Sequence, residues 1–146
     1  LYTTEYNRTA RPRRSDPKTL WIARPRWRLS CGSDIALGPG KADLLDAIRR
    51  SGTISGAARE LGMSYRRAWL LVEAMNRCFT RPLVSTSSWR GKGAALTQDG
   101  ERALELYRRI ESDSLQAVRR PLASLEKLLK KETPSPRRRG RPRDEP

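Results

Sequence analysis

Apolar residues recur at helical spacing through much of the chain, and short alternating stretches separate the helices. Leu44, Leu45, Ala47 and Ile48 make a one-sided stripe, which predicts a helix after the Gly38-Pro39-Gly40 punctuation. Arg49 and Arg50 suit the negative end of its dipole, and Gly52 stops it. Ala57, Ala58 and Leu61 give a second, short stripe that Ser55 can cap and Gly62 ends. Ser64 then caps a third helix, whose buried side is Ala68, Leu71, Val72, Met75 and Phe79. Strand-like stretches flank this helical block. Residues 26–37 alternate around Trp27 and Leu29, turn at Gly32-Ser33-Asp34, and return through Ile35 and Leu37. Residues 83–86 and 95–97 form a second hairpin around a basic, glycine-rich tip.

The stretch 52–79 organises the rest. Two helices joined at a glycine, the second opening on Tyr65-Arg66-Arg67 with Trp69 just beyond, have the form of a helix-turn-helix. An ordinary antiparallel helix pair reads the same way in this stretch alone. A hairpin directly after such a helix is a wing, with Arg90 and Lys92 at its tip; the rival, a nucleotide-phosphate loop, lacks the GxxxxGK[ST] spacing. Thr97 caps a long helix. Leu104, Tyr107, Glu111, Leu115, Val118, Leu122, Leu125 and Leu129 step along it by three and four, a seam that predicts dimerisation. The alternative is a helix packed on its own domain. Pro121 kinks the helix or starts a new one, because proline removes an amide and clashes with the preceding turn. The expected fold is mainly α with short β-hairpins: a winged helix-turn-helix over residues 26–97, followed by a dimerisation helix over 98–131.

Charge points the surface toward a polyanion. The chain carries 31 Lys and Arg against 16 Asp and Glu, a formal net charge of +15 over 146 residues. Residues 1–25 read as a disordered basic arm, with Arg11, Arg13 and Arg14 either touching DNA or simply solvated. Residues 132–146 are a second basic, proline-rich tail. Arg139-Gly140-Arg141-Pro142 at its centre resembles an AT-hook, in which a glycine-floored strand lays two arginines along a narrow minor groove. A nonspecific basic tail is the alternative.

Other classes fit poorly. With no histidine, and only Cys31 and Cys78, the usual zinc fingers and histidine-based catalytic arrangements are missing. Both cysteines read as reduced. No enzymatic role, cofactor or metal is expected. No run of about 18 apolar residues suggests a membrane span. Glu101, Glu105, Glu111 and Asp113 dilute the basic face that an anionic membrane would need.

Residues from about 27 to 115 resemble the N-terminal winged helix-turn-helix domain of the molybdate-responsive, ModE-type bacterial regulators; LysR-type regulators use a related domain. The resemblance rests on Gly38-Pro39-Gly40-Lys41, the run from Ser51 to Ala58, Met63-Ser64-Tyr65 and Ala68-Trp69. It continues with Met75-Asn76, Pro82-Leu83-Val84, Gly91-Lys92-Gly93, Leu96-Thr97 and Gly100. It implies a cytoplasmic, nucleoid-associated homodimer on double-stranded DNA. Ser55, Ser64, Tyr65, Arg66, Arg67 and Trp69 would meet the major groove, and Arg90 and Lys92 the minor groove, with Arg139, Gly140 and Arg141 of the tail. Leu104, Tyr107, Leu115 and Val118 would join the protomers. The chain runs from the long helix into the basic tail, so the expected protein lacks the family's C-terminal molybdate domain and takes no small-molecule effector on this chain. The expectation is a sequence-selective transcriptional regulator; the alternative is an architectural DNA-binding protein of weak selectivity.

Overall fold

The computed structural model describes residues 23–87 and 93–129. Residues 24–118 form one compact unit, and Arg119 onward belongs to a second. The first unit runs β1 (Leu29–Cys31), β2 (Asp34–Leu37), α1 (Pro39–Ser51), α2 (Ile54–Glu60), α3 (Tyr65–Cys78), β3 (Val84–Ser87), β4 (Gly93–Leu96) and α4 (Gln98–Ala117). Each strand pair is an antiparallel hairpin. Three short helices, a hairpin and a long helix make a winged helix-turn-helix, mainly α with short hairpins, as the residue pattern predicts.

The first hairpin turns at Gly32, whose φ of 62° is left-handed. Trp27, expected in its first strand, precedes that strand. Its indole donates to Ser114 Oγ at 2.7 Å, and its carbonyl accepts from the Tyr107 hydroxyl at 2.8 Å. The buried Lys41 ammonium donates to the Ile35 carbonyl, so its charge sits on a backbone dipole and closes the hairpin onto α1. Helix α1 begins at Pro39, inside the expected Gly-Pro-Gly break, because the first helical position needs no amide and proline supplies the right φ. Leu44, Leu45, Ala47 and Ile48 are completely buried. Gly52 ends α1 in the left-handed conformation (φ 68°). Its carbonyl then accepts from Ala94 at 2.8 Å, hooking β4 onto the end of α1.

The wing is bolted down at its root. Asn76 Oδ1 accepts from the Leu83 and Val84 amides at 2.9 and 3.2 Å, and its Nδ2 donates to the Val84 carbonyl at 3.0 Å. Thr97 caps α4 by accepting from Gly100 N at 3.0 Å, and donates to the Pro82 carbonyl at 2.7 Å. A Cβ on Gly100 would lie 2.0 Å from the Leu83 carbonyl oxygen, so only glycine lets α4 start this close to β3.

The apolar seam of α4 divides. Leu104 and Tyr107 are 1% exposed within the chain's own core, and Glu111 is 5% exposed. Leu104 and Tyr107 are thus taken up by the chain's own core, where α4 covers the inner face of α1. Glu111, the polar member of the seam, accepts from Arg108 at 3.2 Å. Arg108 also holds Asp43 at 3.0 Å and pairs with Asp46, both on α1. Leu115 is half-buried, and Val118, the helix cap, is 45% exposed. The α-helix stops at Ala117. Pro121 explains why: it offers no amide to the Ala117 carbonyl, and its ring would collide with that carbonyl. In the second unit α5 (Arg119–Glu126) carries Pro121 in its first turn, where the missing amide is harmless.

Candidate nucleic-acid interface

Helices α2 and α3 are set by two hydroxyl caps and one left-handed glycine. Thr53, not Ser55, caps α2; its Oγ1 accepts from Gly56 N at 2.9 Å. Both residues have a suitable hydroxyl, but the extended backbone that a cap requires falls at Thr53, so Ser55 is already helical. Gly62, at φ 65°, makes the turn. Ser64 caps α3, accepting from Arg67 N at 3.2 Å. Ala58 and Ala68 are almost wholly buried, so the helices cross with little between them.

The outward side of this pair follows from what is buried. Helix α3 buries Ala68, Val72 and Met75. At about 3.6 residues per turn the opposite ridge is Arg66, Leu70, Glu73 and Arg77, and all four are exposed. Arg67 is exposed on one flank. Tyr65, 53% exposed, stacks on Trp69 with ring centroids 6.4 Å apart. Trp69 departs from its expected place: it is half-buried and packed against the core. It supports Tyr65, whose ring is the exposed member of the pair. On α2, Ser55 and Arg59 are exposed one turn apart. Leu70 and Glu73 carry no cationic, aromatic or glycine signal in the sequence. Counting helical steps outward from Arg66 reaches both.

Ion pairing sorts the arginines, although Arg24, Arg26 and Arg28, before the first strand, are also exposed and in no ion pair among the described residues. Arg49 pairs with Asp46 at 2.7 Å, Arg81 with Asp99 at 2.6 Å, Arg50 with Glu60, and Arg108 with three carboxylates. Arg77, at the far end of the α3 ridge, reaches Asp34 at 3.8 Å. Arg59, Arg66 and Arg67 form no ion pair among the described residues. Three guanidinium groups on the helix-turn-helix therefore stand ready for an external anion. Arg90 and Lys92 of the wing tip, the N-terminal arm, and Arg139, Gly140 and Arg141 of the tail lie outside the described residues.

Cys31 and Cys78 are both free. Partial burial and then a hydrogen bond with Cys31 push the Cys78 thiol above its ordinary pKa, which keeps it protonated at neutral pH. Among the described residues no group of three or more potential ligands could hold a metal. No helix among them is long and apolar enough to cross a membrane.

No protein-family model matches the sequence. The molybdenum-pterin-binding protein MopB of Rhodobacter capsulatus is 42% identical over 95 residues, 64% of this chain and 34% of that protein. The molybdenum transport protein ModE of Azotobacter vinelandii is 35% identical over 97 residues, 64% of this chain and 36% of that protein. The transcriptional regulator ModE of Haemophilus influenzae is 40% identical over 77 residues, 51% of this chain and 30% of that protein. The chain thus spans about a third of the length of these relatives. Among solved structures, full-length LTTR LysG from Corynebacterium glutamicum matches at a TM-score of 0.45 and 28% identity, over 62% of this chain and 29% of that one. The winged helix-turn-helix domain is of the ModE type.

Proposed function

We propose that this chain is a sequence-selective DNA-binding transcriptional regulator that works as a homodimer. The observation that carries the reading is the contrast in arginine pairing. Arg59, Arg66 and Arg67 lack carboxylate partners among the described residues, and they share the outward side of the helix-turn-helix. In this reading the first turn of α3, with Ser64, Tyr65, Arg66 and Arg67, enters the major groove. Ser55 and Arg59 approach a phosphate beside it. Arg90 and Lys92 of the wing, and the Arg139-Gly140-Arg141 hook, add minor-groove and phosphate contacts. The partner protomer meets Leu115 and Val118, where the α4 seam emerges from the chain's own core. Leu106 and Ile110, which are 43% and 40% exposed, form a separate apolar strip on another side of α4.

A second reading is supported by the charge. A net +15, spread along the whole chain, suits an architectural protein that coats DNA with little selectivity. Selecting bound fragments from random DNA, followed by footprinting, separates the two. A regulator enriches one motif and protects discrete sites; an architectural protein enriches nothing and protects uniformly. Removing residues 133–146 should weaken binding and flatten its salt dependence, each lost phosphate contact taking about 0.9 off the slope of log K against log salt. A larger loss on sites flanked by A·T tracts is the mark of the hook, and a loss blind to the flanks leaves only a basic tail.

A further inference from the structure

We propose that Leu70 reads the 5-methyl group of a thymine in the major groove, an inference that rests on α3 being the base-reading helix. Leu70 is 53% exposed, although the adjacent Leu71 and Val72 turn inward. It lies on the ridge opposite the buried stripe, one turn beyond Arg66 and nearly one turn before Glu73. Its position is in the N-terminal half of α3, the part of a recognition helix that reaches base edges. Its polar neighbours define what it can touch. A leucine offers neither charge nor hydrogen bond, so it gains nothing from a phosphate. The major groove presents one protruding apolar group, the thymine methyl, and contact with it removes apolar surface on both sides from water. Glu73 pairs with no described cation, and its carboxylate repels phosphates, so the outer end of the ridge also turns to base edges rather than to the sugar-phosphate backbone. Leu70 stands between an arginine and a glutamate, so it is not part of a broad apolar patch that would mark a protein partner.

The test is a uracil scan of the selected site. Each thymine in turn is replaced by deoxyuridine, which removes the methyl and leaves every hydrogen-bonding group in place. Affinities are measured for the native chain, Leu70→Ala and Arg66→Ala, all checked by thermal melting, which an exposed side chain should not shift. One thymine in each half-site should lose about fourfold in affinity when its methyl is removed, the value of one buried carbon. Leu70→Ala should bind the unmodified site about as weakly and lose nothing further at that uracil. Arg66→Ala should keep the uracil penalty. A flat scan, or an equal penalty in Leu70→Ala, overturns the role of Leu70. If Arg66→Ala still distinguishes the selected site from random DNA less well than the native chain, α3 remains the reader and only Leu70 is misassigned. If no motif is selected, or if the scan is flat and Arg66→Ala also loses equally on both DNAs, the base-reading helix falls and the Leu70 assignment falls with it.

Discussion

Helices α3 and α4 look alike in sequence and differ in what their arginines do. Each has an apolar stripe at helical spacing and carries several arginines. On α4, Arg108 turns inward, lies 5.9 Å from the centre of the Tyr107 ring, and binds Asp43, Asp46 and Glu111. On α3, Arg66 and Arg67 turn outward and meet no described carboxylate. The acidic residues decide this. Asp43 and Asp46 lie on α1, across from α4, and no described carboxylate pairs with the first turn of α3. A net charge says that cations are in excess, and the folded arrangement says which ones are available to a ligand. Arg108 holds helices together, while Arg66 and Arg67 remain open to an external anion.

That contrast breaks most visibly at Arg108. Asp46 is 9% and Glu111 5% exposed, so Arg108→Ala removes the cation these nearly buried carboxylates share, while Asp46 keeps its pair with Arg49. Removing one partner from a buried ion pair costs about 3–5 kcal/mol. The lower end is expected, because the Arg108 side chain keeps 18% exposure. Urea unfolding should report that loss, and DNA affinity per folded molecule should be unchanged. Full stability in the variant would mean that the carboxylates are hydrated and the network is incidental.

Arg66 should behave in the opposite way. Arg66→Ala should leave stability within about 0.5 kcal/mol, the range of ordinary surface changes. It should cost about 1–3 kcal/mol of discrimination between the selected site and random DNA, the worth of a bidentate base contact. Competition binding against both DNAs measures it. An equal loss on both would move Arg66 from the bases to the phosphates.

The helices and hairpins were legible because each has a local cause: a stripe, a hydroxyl cap or a left-handed glycine. The destinations of side chains at stripe edges were less so. Trp69 sits at the margin of the α3 stripe, and its inward turn depends on neighbours from elsewhere in the chain. Leu104 and Tyr107 belong to a seam that runs on toward Val118, and nothing local says where the domain's own core stops covering it. Glu111, the one polar break in the seam, marked the place where Arg108 intrudes. Thr53 and Ser55 are two candidate caps two residues apart, and the backbone chose the first. Thr53→Ala should therefore cost about 1 kcal/mol in urea unfolding, with Ser55→Ala within about 0.5 kcal/mol of the native chain. The reverse order would move the start of α2 by two residues.

The smallest effect expected is none at all, from molybdate. The names of two of the relatives point to molybdenum, so an oxyanion is the natural ligand to try on this chain. A hollow of about 440 Å³ opens where the end of α3 meets β3 and the start of α4, lined by Asn76, Arg81, Val84, Ser85, Thr97 and Asp99 among others. Three of its donors, Arg81, Asn76 and Thr97, are engaged. Arg81 grips Asp99 through two nitrogens, at 2.6 and 2.9 Å, so it presents little net charge to a dianion. Both ends of the Asn76 amide hold the β3 backbone, and the Thr97 hydroxyl donates to the Pro82 carbonyl. Binding an oxyanion there means unfastening the root of the wing, and the remaining contact would be screened by salt. Affinity of the native chain for its selected site should be the same with and without excess molybdate at physiological ionic strength. Titration calorimetry with molybdate alone should show no saturable heat. Saturable binding that Arg81→Ala abolishes would show that the Arg81–Asp99 pair opens, and would make the hollow, rather than the outward face of α3, the place where this domain first meets an anion.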